Sequence, residues 1–190
     1  MELIYSRFQG PSLAFTVLFL IFVTIVFIEG ARAVFLAKGK LERIGKERVT
    51  FIPLVSYIMI IAGGIGEYFI AGRQIRFIVS FSGVAVFIIG VSLRNLSIRT
   101  LGTSWSIHVC ADNVERIVKK GPYRYIRHPY YLGSLFILLG LLLASNSYYS
   151  ILLIFLLQVP LYLIRIALEE KELVRKFGEE YVIYKRGAWI

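Results

Sequence analysis

Apolar residues in this chain are gathered into five long blocks separated by short polar stretches. The blocks run near Leu13–Ile28, Phe51–Ile70, Phe77–Leu93, Tyr130–Ala144 and Tyr148–Ile166. The hydrocarbon core of a bilayer takes roughly 20 apolar residues per spanning helix. Lipid offers no partner to an unpaired amide, so segments of this kind cross as helices. The first, third and fourth blocks are a little short for a perpendicular span. Flanking Tyr, Ser and Gly, or Arg and Lys with snorkelling stems, extend them. The chain is 57% hydrophobic with a mean hydropathy of +0.71, where a soluble domain is nearer half apolar. The expected fold is an all-α integral membrane protein of about five transmembrane helices. The first block is expected to be a retained helix rather than a signal peptide. Its flank carries Glu2 and Arg7 instead of a basic cluster, and Glu29-Gly30-Ala31-Arg32 is a poor cleavage site.

A net charge of +10 invites a nucleic-acid reading, but its distribution argues for topology. The segments Arg32–Arg48, Arg94–Arg127 and Arg165–Arg186 hold 6, 7 and 6 of the 22 Lys and Arg. Arg7, Arg73 and Arg76 fall on the opposite side. This alternation predicts an outside N-terminus and a cytoplasmic C-terminus in the cell membrane. The basic residues then meet anionic lipid headgroups, and no nucleic-acid partner is expected. Cys110 is the single cysteine, so neither an internal disulfide nor a cysteine-rich metal site is expected.

The chain divides into a three-helix transmembrane region, 1–93, and a region 94–190 made of a cytosolic loop, a helical hairpin and a C-terminal helix. Ala37 to Lys46 reads as a basic loop. Ala71-Gly72-Arg73-Gln74 reads as a tight turn that makes the second and third spans antiparallel neighbours. Gly63, Gly64 and Gly66 in the second span read as helix-packing residues. Ser145-Asn146-Ser147 reads as an external turn, and Pro160 as a kink inside the fifth span. Val114 to Val118 alternates like an extended strand, and Lys119 to Tyr123 reads as a turn. The last helix should run past the membrane and stop at Gly178.

Titratable groups kept where a chain enters or leaves lipid are functional candidates. Arg127-His128-Pro129-Tyr130-Tyr131 precedes the fourth block, and Glu169-Glu170 follows the fifth. Pro129 suits the first turn of a helix, which leaves His128 outside it. Arg165 and Glu169 are one helical turn apart on one face. Each cluster alone also reads as an ordinary interfacial segment. Together, on one cytoplasmic face, they form a candidate pocket half in water and half in lipid.

The run Gly121-Pro122-Tyr123-Arg124-Tyr125-Ile126-Arg127-His128-Pro129-Tyr130-Tyr131 resembles the G-x-Y-x-x-x-R-H-P-x-Y motif of the isoprenylcysteine carboxyl methyltransferases. That family belongs with the phospholipid methyltransferases and other integral membrane methyltransferases. Leu101-Gly102-Thr103-Ser104-Trp105-Ser106, Glu169-Glu170, Phe177-Gly178-Glu179-Glu180-Tyr181 and Tyr184 fit the same pattern in order and spacing. His108 departs from it, standing where relatives often have a glutamine. The resemblance implies S-adenosylmethionine as cofactor, held on the cytosolic face by the loop before the fourth span and by the tail. It implies that Ile117, Val118, Tyr123, His128, Pro129, Tyr130, Tyr131 and Glu169 line the cofactor pocket, that Arg165 holds the substrate, and that no metal takes part. The implied acceptor is lipophilic, a small molecule or a prenylated chain, most simply the carboxylate of an isoprenylcysteine. A phospholipid amine or a thiol is the variant within the same chemistry. Two rivals stand beside it: an NADPH-dependent membrane reductase, with Arg116, Lys119, Lys120, Arg124 and Arg127 as its phosphate-binding cluster, and a non-catalytic scaffold or lipid-binding protein.

Overall fold

The computed structural model describes Thr24 and residues 48–70, 76–104 and 116–189. The first apolar block apart from Thr24, the loop 37–46, the turn 71–74, Val114, Glu115, and Trp105, Ser106, His108 and Cys110 lie outside the described residues. The described residues are helical throughout their long elements: α1 (Arg48–Ile70), α2 (Phe77–Leu101), α3 (Pro129–Ala144), α4 (Tyr148–Phe177) and α5 (Glu179–Gly187). Phe51–Ile70 of α1, α2 and α4 are long and apolar enough to cross a membrane. The fourth block makes only the 16 residues of α3, about 24 Å of helix against roughly 30 Å of hydrocarbon.

α2 and α3 pack along their lengths, antiparallel, through four glycines. A Cβ on Gly90 would fall 2.6 Å from the Ile137 amide nitrogen, and one on Gly133 would fall 2.8 Å from that of Arg94. Gly83 and Gly140 are closed in by backbone in the same way, Gly83 at Ala144 and Gly140 at Phe87. Without side chains at these positions the two backbones touch, which is how helices gain dispersion energy where lipid supplies no hydrophobic drive. α1 and α2, expected as antiparallel neighbours, share a core in which Tyr68, Ile61 and Ile65 pack with Phe87, Val84 and Val91. α1 makes its close approaches to α4 and α3, because the glycine seam commits α2 to α3. Gly64 does serve packing, against Leu142, whereas Gly66 faces open space.

The Ser145-Asn146-Ser147 turn is buried rather than exposed. Since α3 is short, its C-terminal turn ends below its neighbours and must find its polar partners inside. Asn146, with φ 55, donates to Ser80 Oγ at 2.8 Å and accepts the Arg76 amide at 3.2 Å. Ser147 Oγ donates to the Gly64 carbonyl at 3.0 Å. Glu67 of α1 then accepts the amides of Tyr149 and Ser150, at 3.1 and 2.9 Å, and so caps the first turn of α4 with a carboxylate.

Pro160 has no N–H to give to the preceding turn, and the irregularity expected there takes the form of a π turn over Ile154–Gln158. Gln158 is fully buried. It accepts from Ser56 Oγ at 2.6 Å and donates to the Pro53 carbonyl at 3.3 Å, joining α4 to α1. α4 continues to Phe177 and stops as expected at Gly178, whose φ of 55 suits glycine and whose amide donates to Val174 at 2.8 Å.

Candidate active site

The start of α3 and the end of α4 meet at one end of the bundle. His128 is the residue before α3, with φ −127 and ψ 57, and Pro129 is its first helical residue. His128 is buried between two consecutive carboxylates: its Nδ1 is 3.7 Å from Glu169 and its Nε2 is 3.5 Å from Glu170. Neighbours on a helix point about 100° apart, which lets Glu169 and Glu170 serve two different groups of partners.

Glu169 accepts hydrogen bonds from the Tyr131 hydroxyl and, at 3.3 Å, from Arg165 Nε. Arg165 Nε also donates to the Tyr131 oxygen at 2.6 Å, and the guanidinium lies 5.7 Å from the centre of the Tyr131 ring. Tyr131 contacts Tyr130 edge-on at 5.6 Å and Tyr162 at 4.9 Å. Glu170 forms the second group. It pairs with Arg127 and accepts from Lys185 Nζ of α5 at 2.5 Å.

The tail closes over the motif loop. Tyr184 donates to the Tyr123 carbonyl at 2.6 Å. The Arg127 amide donates to the Trp189 carbonyl at 2.7 Å, and the Trp189 amide returns a bond to Tyr125 at 2.8 Å. Lys119 reaches Glu180 at 3.2 Å. Burial raises the Tyr123, Tyr181 and Tyr184 phenols, Tyr184 to about 12, so all three stay neutral donors at ordinary pH.

His128, Pro129, Tyr130, Tyr131, Arg165 and Glu169 are thus brought together as expected. Tyr123 sits buried in the 3-10 turn Gly121–Arg124, close enough to Glu169 to be raised by its charge. Ile117 and Val118 lie half-buried without regular structure just before that turn, and no hydrogen bond among the described residues ties them to the cluster. The extended strand expected around them is not formed by the described part, Arg116 to Val118.

Residues 83–175 match the model of the isoprenylcysteine carboxyl methyltransferase family. Over those residues the chain is similar in sequence to that family. Among its relatives, a protein-S-isoprenylcysteine O-methyltransferase of Saccharomyces cerevisiae is 36% identical over 112 residues, 57% of this chain and 46% of the relative. The corresponding protein of Schizosaccharomyces pombe is 32% identical over 55% of this chain and 45% of its own length. A probable protein-S-isoprenylcysteine O-methyltransferase of Oryza sativa subsp. indica is 32% identical over 56% of each. The chain therefore spans about half the length of the curated relatives it matches. No solved structure matches it significantly.

The bundle end holds residues whose importance the local sequence understates. Arg94 was counted with the cytoplasmic positive charges, yet it is buried inside α2 at 5% exposure. Its signal was position: a lone arginine at the end of an apolar block, one helical turn before Ile98. Glu170 reads from the sequence only as the neighbour of Glu169, although it holds Arg127 and Lys185. Tyr57, Tyr162 and Lys185 gave no signal, because nothing in their local sequence separates them from interfacial tyrosines and lysines.

Proposed function

We propose that this chain is an S-adenosylmethionine-dependent methyltransferase of the cell membrane. It acts at the cytoplasmic face on a lipophilic acceptor, most simply the carboxylate of an isoprenylcysteine-like substrate. The observation that carries this reading is the joining of His128 and Tyr131 to Arg165 and Glu169 at one end of the helices, within the segment similar to this family. Three long apolar helices among the described residues support a multi-pass arrangement, which we read with the charge pattern as five spans, N-terminus outside and C-terminus inside.

The donor set suits a cationic amino-acid cofactor. Glu169 keeps a fifth of its side chain exposed, so its carboxylate can take an ammonium through charge-assisted hydrogen bonds. His128 Nε2 is buried and has no aligned hydrogen-bond partner among the described residues, 3.5 Å from Glu170 notwithstanding. Tyr123, Tyr130 and Tyr131 offer faces for adenine and for a sulfonium, and Ile117, Val118 and Pro129 would complete the wall. Bound there, the cofactor supplies an activated methyl group. The protein's own work is positioning. Arg165, fixed by Tyr131 and Glu169, orients the acceptor. A carboxylate acceptor is already ionised and needs no base, only alignment and exclusion of water. An amine or thiol acceptor would hand its proton to Glu170 or His128. An apolar groove of about 490 Å³ between α1 and α4, with Phe51, Val55, Met59, Leu157 and Pro160 in its walls, offers room for an acceptor's tail.

The reductase reading is disfavoured by two of its own cations. Arg127 is paired with Glu170 and Lys119 with Glu180, so two of the five cations proposed for an extra phosphate are already engaged. Titration calorimetry of the purified protein with S-adenosylmethionine and with NADPH tests the choice. Binding of the first alone, abolished by Glu169→Ala in a protein that still inserts normally, is the expected result. Unchanged affinity in Glu169→Ala overturns the assignment. Mass spectrometry of lipid extracts incubated with labelled cofactor then identifies the acceptor.

A further inference from the structure

Outside α1–α4, three large apolar side chains are exposed among the described residues: Tyr125, Ile183 and Trp189, the last at 80%. Within the spans, exposure of this kind is met by lipid. These three lie where the chain comes back to the membrane. α4 runs outward past Glu170 to Phe177, and Gly178 reverses it. On the return, Lys185 of α5 meets Glu170. Trp189 then pairs with the motif loop as a parallel bridge opposite Ile126: its amide donates to the Tyr125 carbonyl at 2.8 Å, and its carbonyl accepts the Arg127 amide at 2.7 Å. Pro129, two residues after Arg127, opens the apolar helix α3. Trp189 and Tyr125 are thus held by backbone at the level where α3 begins. Cations accompany the three apolar groups along the chain. Arg124 lies over the Tyr125 ring at 5.5 Å, and Arg186 follows Ile183 by one turn of α5. Lys120, Arg124 and Arg186 are exposed, and no carboxylate among the described residues is in ion-pair range of any of them.

We propose that Tyr125, Ile183 and Trp189, with Lys120, Arg124 and Arg186, form an interfacial anchor that takes anionic phospholipid from the leaflet at this end of the bundle. Tryptophan and tyrosine favour the headgroup level, where the ring is half in lipid and half in water. Lysine and arginine beside them gain from negative headgroups, and the stems of both lie along the apolar boundary. The membrane is the partner already present at this depth, and its charge complements the three unpaired cations. The anchor also reaches the site. Trp189 is bonded to the Arg127 backbone and Arg127 pairs with Glu170, so lipid held at Trp189 keeps the tail closed over His128. The anchor is independent of the methyl-transfer reading; it needs only that the bundle spans a bilayer.

The test uses the whole protein in nanodiscs and reads the fluorescence of Trp189. Trp105 is the other tryptophan, so the difference between wild type and Trp189→Phe isolates the signal. Trp105→Phe, which leaves Trp189 alone, gives the same signal directly. Phosphatidylcholine and phosphatidylglycerol brominated close to the headgroup quench from the membrane side, and acrylamide quenches from water. Trp189 should be quenched by the brominated lipids and shielded from acrylamide. Brominated phosphatidylglycerol should be preferred over phosphatidylcholine by roughly fivefold for each cation engaged. The triple variant Lys120→Gln, Arg124→Gln, Arg186→Gln alters exposed side chains only; it should keep the quenching by lipid and lose the preference. A Trp189 that is untouched by brominated lipid and fully open to acrylamide overturns the anchor and gives the patch to a protein partner. Equal quenching by the two lipids in wild type, or a preference that survives in the triple variant, overturns the recognition of anionic lipid by these cations.

Discussion

The Tyr131 hydroxyl accepts from Arg165 and donates to Glu169, so a single phenol from α3 links a guanidinium and a carboxylate that share a face of α4. Tyr131→Phe removes both bonds and leaves the Arg165–Glu169 pair to hold itself. We expect a loss of about 1–2 kcal/mol in stability, the scale of a buried hydrogen bond to charged partners, together with weaker S-adenosylmethionine binding. Thermal unfolding in detergent and a binding titration measure the two effects. A variant as stable as wild type with unchanged affinity would remove Tyr131 from the site.

The glycines divide into two kinds. At Gly90 an added Cβ meets the Ile137 amide and the Gly133 carbonyl within 3 Å, and both atoms belong to backbone that cannot turn aside. At Gly66 it meets nothing within 4 Å. Gly90→Ala should therefore cost about 1–3 kcal/mol by forcing α2 and α3 apart. Gly66→Ala should be neutral or stabilising by up to about 1 kcal/mol, since alanine is the better helix former. Unfolding midpoints of the two variants, compared side by side, decide this.

Glu67 caps the start of α4 from another helix, taking two amides and the Ser150 hydroxyl. Glu67→Ala leaves those donors to an apolar environment and should cost about 1–2 kcal/mol. Glu67→Gln keeps an acceptor oxygen and should retain part of the loss. Hydrogen exchange at Tyr149 and Ser150 reads the local effect, and protection unchanged in Glu67→Ala would refute the cap.

The tail clasp should be sensitive to alkali. The Tyr184 phenol is raised to about 12 from an ordinary value near 10, chiefly by burial, and it must stay protonated to donate to Tyr123. A folded value above the unfolded one means the contribution is complete below about pH 10 and is lost as pH rises toward 12. Limited proteolysis after residue 178 should speed up across that window, and Tyr184→Phe should raise cleavage already at neutral pH while removing its share of the alkaline step. A cleavage profile identical to wild type would show that this bond does not hold the tail.

Much of this was legible beforehand where one local rule decided the outcome. Pro129 opened α3, Gly178 closed α4, and the four-residue spacing of Arg165 and Glu169 put both on one face. What escaped depended on pairings between distant helices. The seven-residue spacing of Gly83 and Gly90, and of Gly133 and Gly140, becomes meaningful only once α2 is laid against α3. The burial of Ser145-Asn146-Ser147 follows from the shortness of α3 relative to its neighbours, and a polar triplet between apolar blocks reads identically whether it faces solvent or Ser80 and Gly64. Arg94 was misread for a related reason: a charge near the end of an apolar block has the same local sequence whether it snorkels or turns inward.

Backbone touching backbone leaves α2 and α3 no slack. The pair has to behave as one rigid plate, because any parting of the two would sacrifice contacts that lipid cannot replace. On the methyl-transfer reading, a lipophilic acceptor cannot slip between them. Its doorway is the looser seam where α1 leans on the π turn of α4, and residues there, rather than on the plate, should govern how fast it gets in.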